Sequence, residues 1–185
     1  CRNFVIASGG NSYPATGSAG DGFRLAESLG HRITDITPAL TPLFVKNYRL
    51  GSLSGISVKN SRITIFRDDK KINTGGGDIL FTPKGLSGPG ILDTSRNVTV
   101  GDIITVSLTE KSAQECETLL AETLKSEGKK SVRSILKIFD IPERLADALL
   151  ENASIDYAKK AAEASRTERK KILELLKSYP FEISG

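Results

Sequence analysis

The stretch that most limits what this chain can become is Phe4 to Phe23, FVIASGGNSYPATGSAGDGF. It opens on Phe4-Val5-Ile6-Ala7, an apolar, partly β-branched run of the length of a buried strand. The run breaks at Ser8-Gly9-Gly10, and six of the twelve residues from Asn11 to Gly22 are Gly, Ser or Thr. Residues this small let a backbone come close to something flat or charged. Gly20-Asp21-Gly22 then leads into Phe23 to Leu29, whose apolar spacing is helical, with Gly30 as a natural stop. The element reads strand, glycine-rich loop, helix. In α/β folds, ligands gather at the carboxyl ends of such strands, where the free N–H groups of helix starts favour anions. From spacing alone, a tight structural connection explains the loop equally well.

After His31 the pattern changes. Pro38 and Pro42 bracket an extended passage, because residues before proline are pushed out of the helical region. Leu43-Phe44-Val45 reads as a strand, and another is expected over Gly55 to Lys59. The clearest hairpin is Arg62 to Arg67, then Asp68-Asp69-Lys70-Lys71, then a return toward Ile72. Gly75-Gly76-Gly77 reads as a flexible hairpin tip rather than a phosphate cradle, since no helix start follows at once. Ser87 is a possible cap, and Pro89 a first-turn residue, of a short helix ending near Ser95. Val98 to Leu108 supplies one more strand. Five or six strands this short favour a small barrel over a flat parallel sheet.

From Lys111 the period turns helical. Ser112 to Glu115 is a plausible capping box for a helix reaching about Lys125. Further helices are expected over Ser131–Phe139, Glu143–Leu150, Ile155–Ala164 and Thr167–Ser178, the last capped by Thr167. Phe181 to Ser184 alternates as a strand returning to the β part. The fold class is α+β. A small barrel-like part over 32–110 precedes a helical part over 111–180 with its own core, and 181–185 is the returning strand.

Three ordered motifs carry a resemblance. They are Ala7-Ser8-Gly9-Gly10-x-Ser12-Tyr13-Pro14-x-Thr16-Gly17-Ser18-x-Gly20-Asp21-Gly22, then Pro38-Ala39-Leu40-x-Pro42-Leu43, then Asp78-Ile79-Leu80-Phe81-Thr82-x-x-Gly85-Leu86-Ser87-Gly88-Pro89. Together they resemble the FAD-dependent flavoproteins described as NAD(P)/FAD-dependent oxidoreductases of the aminoacetone-oxidase and bile-acid-pathway reductase type. The resemblance implies that residues 1–31 are the strand-loop-helix remnant of a truncated FAD-binding α/β domain, and that the rest is the region inserted into it. It also implies FAD contacts from Ser8, Gly9, Gly10, Ser12, Pro14, Thr16, Gly17, Gly20, Asp21 and Gly22. Thr82, Gly85, Ser87, Gly88 and Pro89 would then face the substrate pocket, and both loops should lie toward the missing dinucleotide domain. Two departures stand out: Ser8 replaces a frequent Thr, and Pro83-Lys84 replaces a frequent His and aromatic residue. No Gly-x-Gly-x-x-Gly spacing occurs among the 17 glycines, and the chain starts at Cys1 with no Met. It reads as an excised middle, with no flavin bound to it alone.

The remaining side chains narrow the chemistry. His31 is the only histidine, so no two-histidine metal site and no metal is expected. Cys116, on a predicted amphipathic helix, reads as a small buried hydrophobe, and with Cys1 far away a reducing, cytoplasmic setting is favoured. Tyr13 beside Pro14 either packs on a flavin or wedges its loop. The motif's hydroxyls either donate to a cofactor or cap their own loop. No run approaches a membrane span. The net charge of +4 is spread along the chain, and the 11 aromatics do not cluster with Lys or Arg on a strand. This disfavours the alternative reading of an RNA- or protein-binding module and predicts no nucleic-acid partner. The expected partners are the remaining FAD-binding domain of the parent chain and a small-molecule substrate, with catalytic residues not identified in this stretch.

Overall fold

A computed structural model describes residues 2–185; Cys1, and the redox reading placed on it, lie outside them. The chain divides into two compact units, Cys1–Thr37 and Pro38–Gly185.

The larger unit is built on one long hairpin. Strands β2 (Ser57–Arg67) and β3 (Lys70–Phe81) pair antiparallel from Arg67↔Lys70 back to Ser57↔Leu80. Asp68 and Asp69 form the turn between them, with φ of 48° and 59°. Two left-handed residues give the turn whose twist matches right-twisted strands. The strand expected over Gly55–Lys59 and the one over Arg62–Arg67 are thus a single bulged strand, its register shifting between Val58 and Ser61 and between Ile65 and Phe66. Bulges bend a strand, and the bent ribbon starts a barrel. With β1 (Leu43–Phe44), β4 (Gly85–Ser87), β5 (Ile103–Val106) and β6 (Tyr179–Glu182), the order is β1-β4-β3-β2-β5-β6, antiparallel throughout.

The two outer strands also meet. Phe44 N–H donates to the Gly185 carbonyl at 2.7 Å, Lys46 N–H to Glu182 at 2.8 Å, and Ser184 N–H to Phe44 at 2.9 Å, with a bridge at Val45↔Ile183. The sheet is a closed six-stranded barrel, and closure leaves no bare edge there. Ile63, Ile65, Ile79, Phe81, Leu86, Ile104 and Val106 are fully buried. Each such side chain stabilises by ~1.5–3 kcal/mol. Asp102 pins the end of the barrel: both its oxygens accept from Arg67 at 2.8 Å, and Oδ2 also accepts from Thr99 N–H at 2.8 Å.

Helix α2 (Pro89–Ser95) packs on β3 at the shortest possible range. A Cβ on Gly77 would stand 2.9 Å from the Gly90 Cα, and one on Gly75 2.9 Å from Thr94 Oγ1. The three glycines are therefore mid-strand and not a hairpin tip, because they let helix and strand backbones touch. The α2 N-cap is Gly88 without a side-chain bond, so Ser87 is not the cap.

Of the later helices, α3 (Ala113–Ser126) begins with the full Ser112/Glu115 capping box, the clearest of the sequence signals. Next come α4 (Val132–Ile135), continued by a 3-10 turn over Leu136–Phe139, and α5 (Glu143–Ala153). Helix α6 (Arg166–Lys177) is capped by Ser165 with Glu168, displacing the cap from Thr167. The helix expected over Ile155–Ala164 is absent. That segment keeps one 3-10 turn, Ala161–Glu163, and is tied down by a Ser131↔Lys160 bridge. The buried apolar side chains of barrel and helices form one cluster, from Leu43 to Ile183, so the helices share a core with the barrel.

The smaller unit has α1 (Asp21–Ser28) and a 3-10 turn, Pro14–Thr16. Gly30 ends α1 with φ 86°, as its position suggested. Phe4–Ala7 carries no ladder and is not a strand here, since no neighbouring strand exists in this unit to pair with it. Phe4 and Val5 are 71 % and 82 % exposed.

Candidate functional site

The glycine-rich loop of the smaller unit is held largely by its own small groups. Ser18 Oγ donates to the Gly10 carbonyl, and Thr16 Oγ1 to the Tyr13 carbonyl at 2.7 Å. Thr16 therefore caps its own loop. Ser8 and Ser12 make no such bond among the described residues. Gly22 lies over Ser8: a Cβ there would come 2.5 Å from Ser8 Oγ and 3.3 Å from Ile6 Cγ2. Glycine at 22 is thus what lets α1 lie against 6–8. Gly10 and Gly17 differ, since a Cβ on either would meet nothing within 4 Å, and they leave bare backbone open on the loop. Gly9 and Gly20 are left-handed, and Gly20 is the one buried residue of the loop. Pro14 and Asp21 are exposed, Asp21 in an ion pair with Arg24 at the start of α1. Tyr13, 76 % exposed, does not wedge the loop. Bare backbone and two unengaged hydroxyls ahead of an eight-residue helix make a surface that fits an FAD contact.

The second loop, in the larger unit, turns β3 into β4. Thr82 N–H donates to the Gly85 carbonyl at 2.9 Å, and Val45 N–H to Lys84 at 3.1 Å. A Cβ on Gly85 would fall 2.0 Å from the Leu43 carbonyl oxygen. One on Gly88, at φ 94°, would fall 2.7 Å from the Asp78 carbonyl oxygen. Both glycines are fully explained by strand packing. Thr82 and Ser87 are half-buried, with hydroxyls that donate to no protein group among the described residues, and Pro89 is exposed. Those three keep side chains available to a ligand.

Other candidates are accounted for. Cys116 is buried, which pushes its thiol pKa up, and it serves as a core residue. His31 is exposed beyond the end of α1. Among the described residues no three His, Cys, Asp or Glu side chains gather as a metal site, and no helix is long and apolar enough to cross a membrane.

Curated proteins similar to this chain include two named ribosomal RNA dihydrouridine synthases. The one from Escherichia coli K12 is 28 % identical over 84 % of this chain and 38 % of its own length. The one from Haemophilus influenzae is 25 % identical over 100 % of this chain and 44 % of its own. A 3-dehydro-bile acid delta(4,6)-reductase from Clostridium scindens is 28 % identical over 52 % of this chain and 24 % of its own. The chain thus spans less than half the length of these relatives. The description "HI0933-like protein barrel and H2TH domain" matches residues 37–185, nearly the span of the larger compact unit. With a closed barrel followed by helices over those residues, the chain belongs to the HI0933-like barrel and H2TH domain family.

Proposed function

We propose that this chain is the inserted, flavin-covering part of an FAD-dependent oxidoreductase, together with a loop of the FAD-binding domain, and is not catalytic alone. The observation that carries the reading is the pairing of a family barrel over 37–185 with an upstream loop whose backbone is open at Gly10 and Gly17. FAD supplies the two-electron chemistry when bound. Ser8, Ser12 and the bare backbone of Gly9, Gly10 and Gly17 would hold it. Asp21 and Gly20 would set the start of α1, and Pro14, Thr16 and Gly22 would keep the loop in shape. In the barrel, Thr82, Ser87 and Pro89 would line the substrate pocket and exclude water, on a turn whose form Gly85 and Gly88 dictate.

The exposed Phe4, Val5 and Leu29 are the side chains we assign to contact with the remaining FAD-binding domain of the parent chain. A dihydrouridine carries two hydrogens more than a uridine, and a delta(4,6)-reductase is named for reducing double bonds. The reaction class we propose for the parent is therefore hydrogen addition across a carbon–carbon double bond. The substrate is a small molecule, or a base within RNA. The second form is favoured by the two relatives named for ribosomal RNA, which match 84 % and 100 % of the chain. The lack of an aromatic, basic strand face bears on base stacking and leaves phosphate contacts open.

The test uses the parent protein with intact flanks. It should purify with about one equivalent of flavin, and Gly10→Val should strip the flavin while the far-ultraviolet circular dichroism is unchanged. The present chain alone should carry none, because half a site offers too few contacts to offset immobilising the ligand. A colourless parent protein that cannot be reconstituted with FAD overturns the reading.

A further inference from the structure

On the outer face of the barrel, where β2 and β3 approach the end of α6, lies an open polar groove of about 360 Å³. Arg62 and Lys177 line it with the hydroxyls of Thr74, Ser107 and Thr109. Gly76 is the cross-strand partner of Arg62, and a Cβ there would meet only the Ser61 carbonyl oxygen, at 3.2 Å. Position 76 therefore carries no side chain across the strand from Arg62.

Lys177 is fixed in place. Its Nζ donates to Ser107 Oγ at 2.9 Å, to the Thr109 carbonyl at 3.3 Å and to the Lys111 carbonyl. All three ammonium hydrogens are thus used, and what remains is a stationary positive charge. Burial lowers its pKa most; Cys116 and Glu115 beside it act to raise it and Arg62 to lower it, so the two cations feel one another. Neither forms an ion pair among the described residues. Glu110, the carboxylate on the rim, accepts from Asn60 Nδ2 at 2.7 Å. Two cations held close together repel each other, and an anion placed between them relieves that repulsion.

We propose that this groove takes a phosphodiester of a single RNA strand, with the Arg62 guanidinium on the phosphate oxygens and Lys177 as the fixed charge behind it. The inference rests on the reading that the parent enzyme acts on RNA. A planar guanidinium matches phosphate oxygens two at a time, and such contacts position a strand without reading its bases. The openness of the groove argues for a strand over a small ligand. A small ligand needs most of its surface enclosed, whereas a strand continues past the site and gains contacts on either side.

The test is fluorescence anisotropy of the full chain with a short labelled single-stranded RNA across a range of salt concentrations. Binding at low salt is expected, with affinity falling log-linearly as salt rises. Arg62→Glu should weaken it on the order of tenfold and flatten the salt slope by roughly 0.7. Lys125→Glu, at an exposed position of α3, serves as the control for overall charge and should change affinity by less than about twofold. Arg62 is exposed and outside any ion pair, so its variants should keep the circular dichroism of the parent chain. No binding at low salt, equal losses in both variants, or competition by uridine monophosphate as tight as by the strand would each overturn the proposal. Flavin content of the parent protein is read separately. Flavin without RNA binding removes this inference alone, and RNA binding without flavin removes the flavoprotein reading alone.

Discussion

Residues 2–37 and 38–185 are written in similar residues and come out differently. Phe4 is 71 % exposed, while Phe81 is 0 % exposed. Gly10 has open space where a Cβ would be, while Gly85 has a carbonyl oxygen at 2.0 Å. The larger region encloses most of its apolar residues in a closed barrel and a shared core, leaving a few such as Leu40 and Val100 outside. The smaller one leaves Phe4, Val5, Leu25 and Leu29 exposed. An apolar run and a glycine pattern thus record two kinds of demand. One is met inside the described residues, and the other is left unmet there.

The sharpest way to break that contrast is at the glycines. Gly85→Val should abolish cooperative unfolding of 38–185, because the Leu43 carbonyl cannot yield without opening the barrel at β1 and β4. Gly10→Val should leave the urea midpoint unchanged. Gly88→Val belongs with Gly85→Val, given its φ of 94° and its contact with β3. Next in size, Phe81→Ala should cost ~3–5 kcal/mol in chemical denaturation, as for buried aromatic truncations generally. Phe4→Ala should stay within ~0.5 kcal/mol. A matching loss at Phe4 would show that the smaller unit has a core of its own.

A smaller effect comes from acid. Lys159 bonds Glu168 at 2.7 and 2.9 Å, and the Ser165 N–H bonds it at 2.7 Å. These contacts, Lys159 first, hold its pKa at about 2 against an ordinary 4.5. Between those values the unfolded chain binds more protons than the folded one. Stability is therefore complete above about 4.5 and is lost as pH falls toward about 2. Asp102, lowered chiefly by Arg67, acts with the same sign. Denaturation midpoints of 38–185 should fall across that window, and less steeply in Glu168→Gln. The smallest effect is expected at the second loop: Thr82→Ala and Ser87→Ala should leave stability within ~0.5 kcal/mol. In the parent protein they should raise KM.

What was legible in the sequence was local. Asp68-Asp69 and Ser112/Glu115 specify a turn and a cap from neighbouring residues, and both stand where they were expected. What escaped depended on distant partners. The glycines at 75–77 look like a loop until α2 is laid on them. Residues 155–164 carry helical spacing, yet Ile155, Ala161 and Ala164 are buried by the fold around them. The Ser165 cap carries a local signal too, since Glu168 stands three residues on, whereas Thr167 has Lys170 at that spacing. Arg62 and Lys177 lie on different elements, and no spacing rule joins them. The motif glycines at 85 and 88 read as ligand-facing, but their nearest neighbours are backbone atoms of β1 and β3.

The bridge at Val45↔Ile183 has a consequence for ancestry. The first barrel passage, 43–46, and the last, 182–185, run side by side. To any host fold such a unit presents two adjacent attachment points, whatever its size. The entropy of joining those points is that of a short loop, because the barrel already holds them together. A host could acquire the whole unit at a surface turn, or exchange it for another, without reordering its own strands.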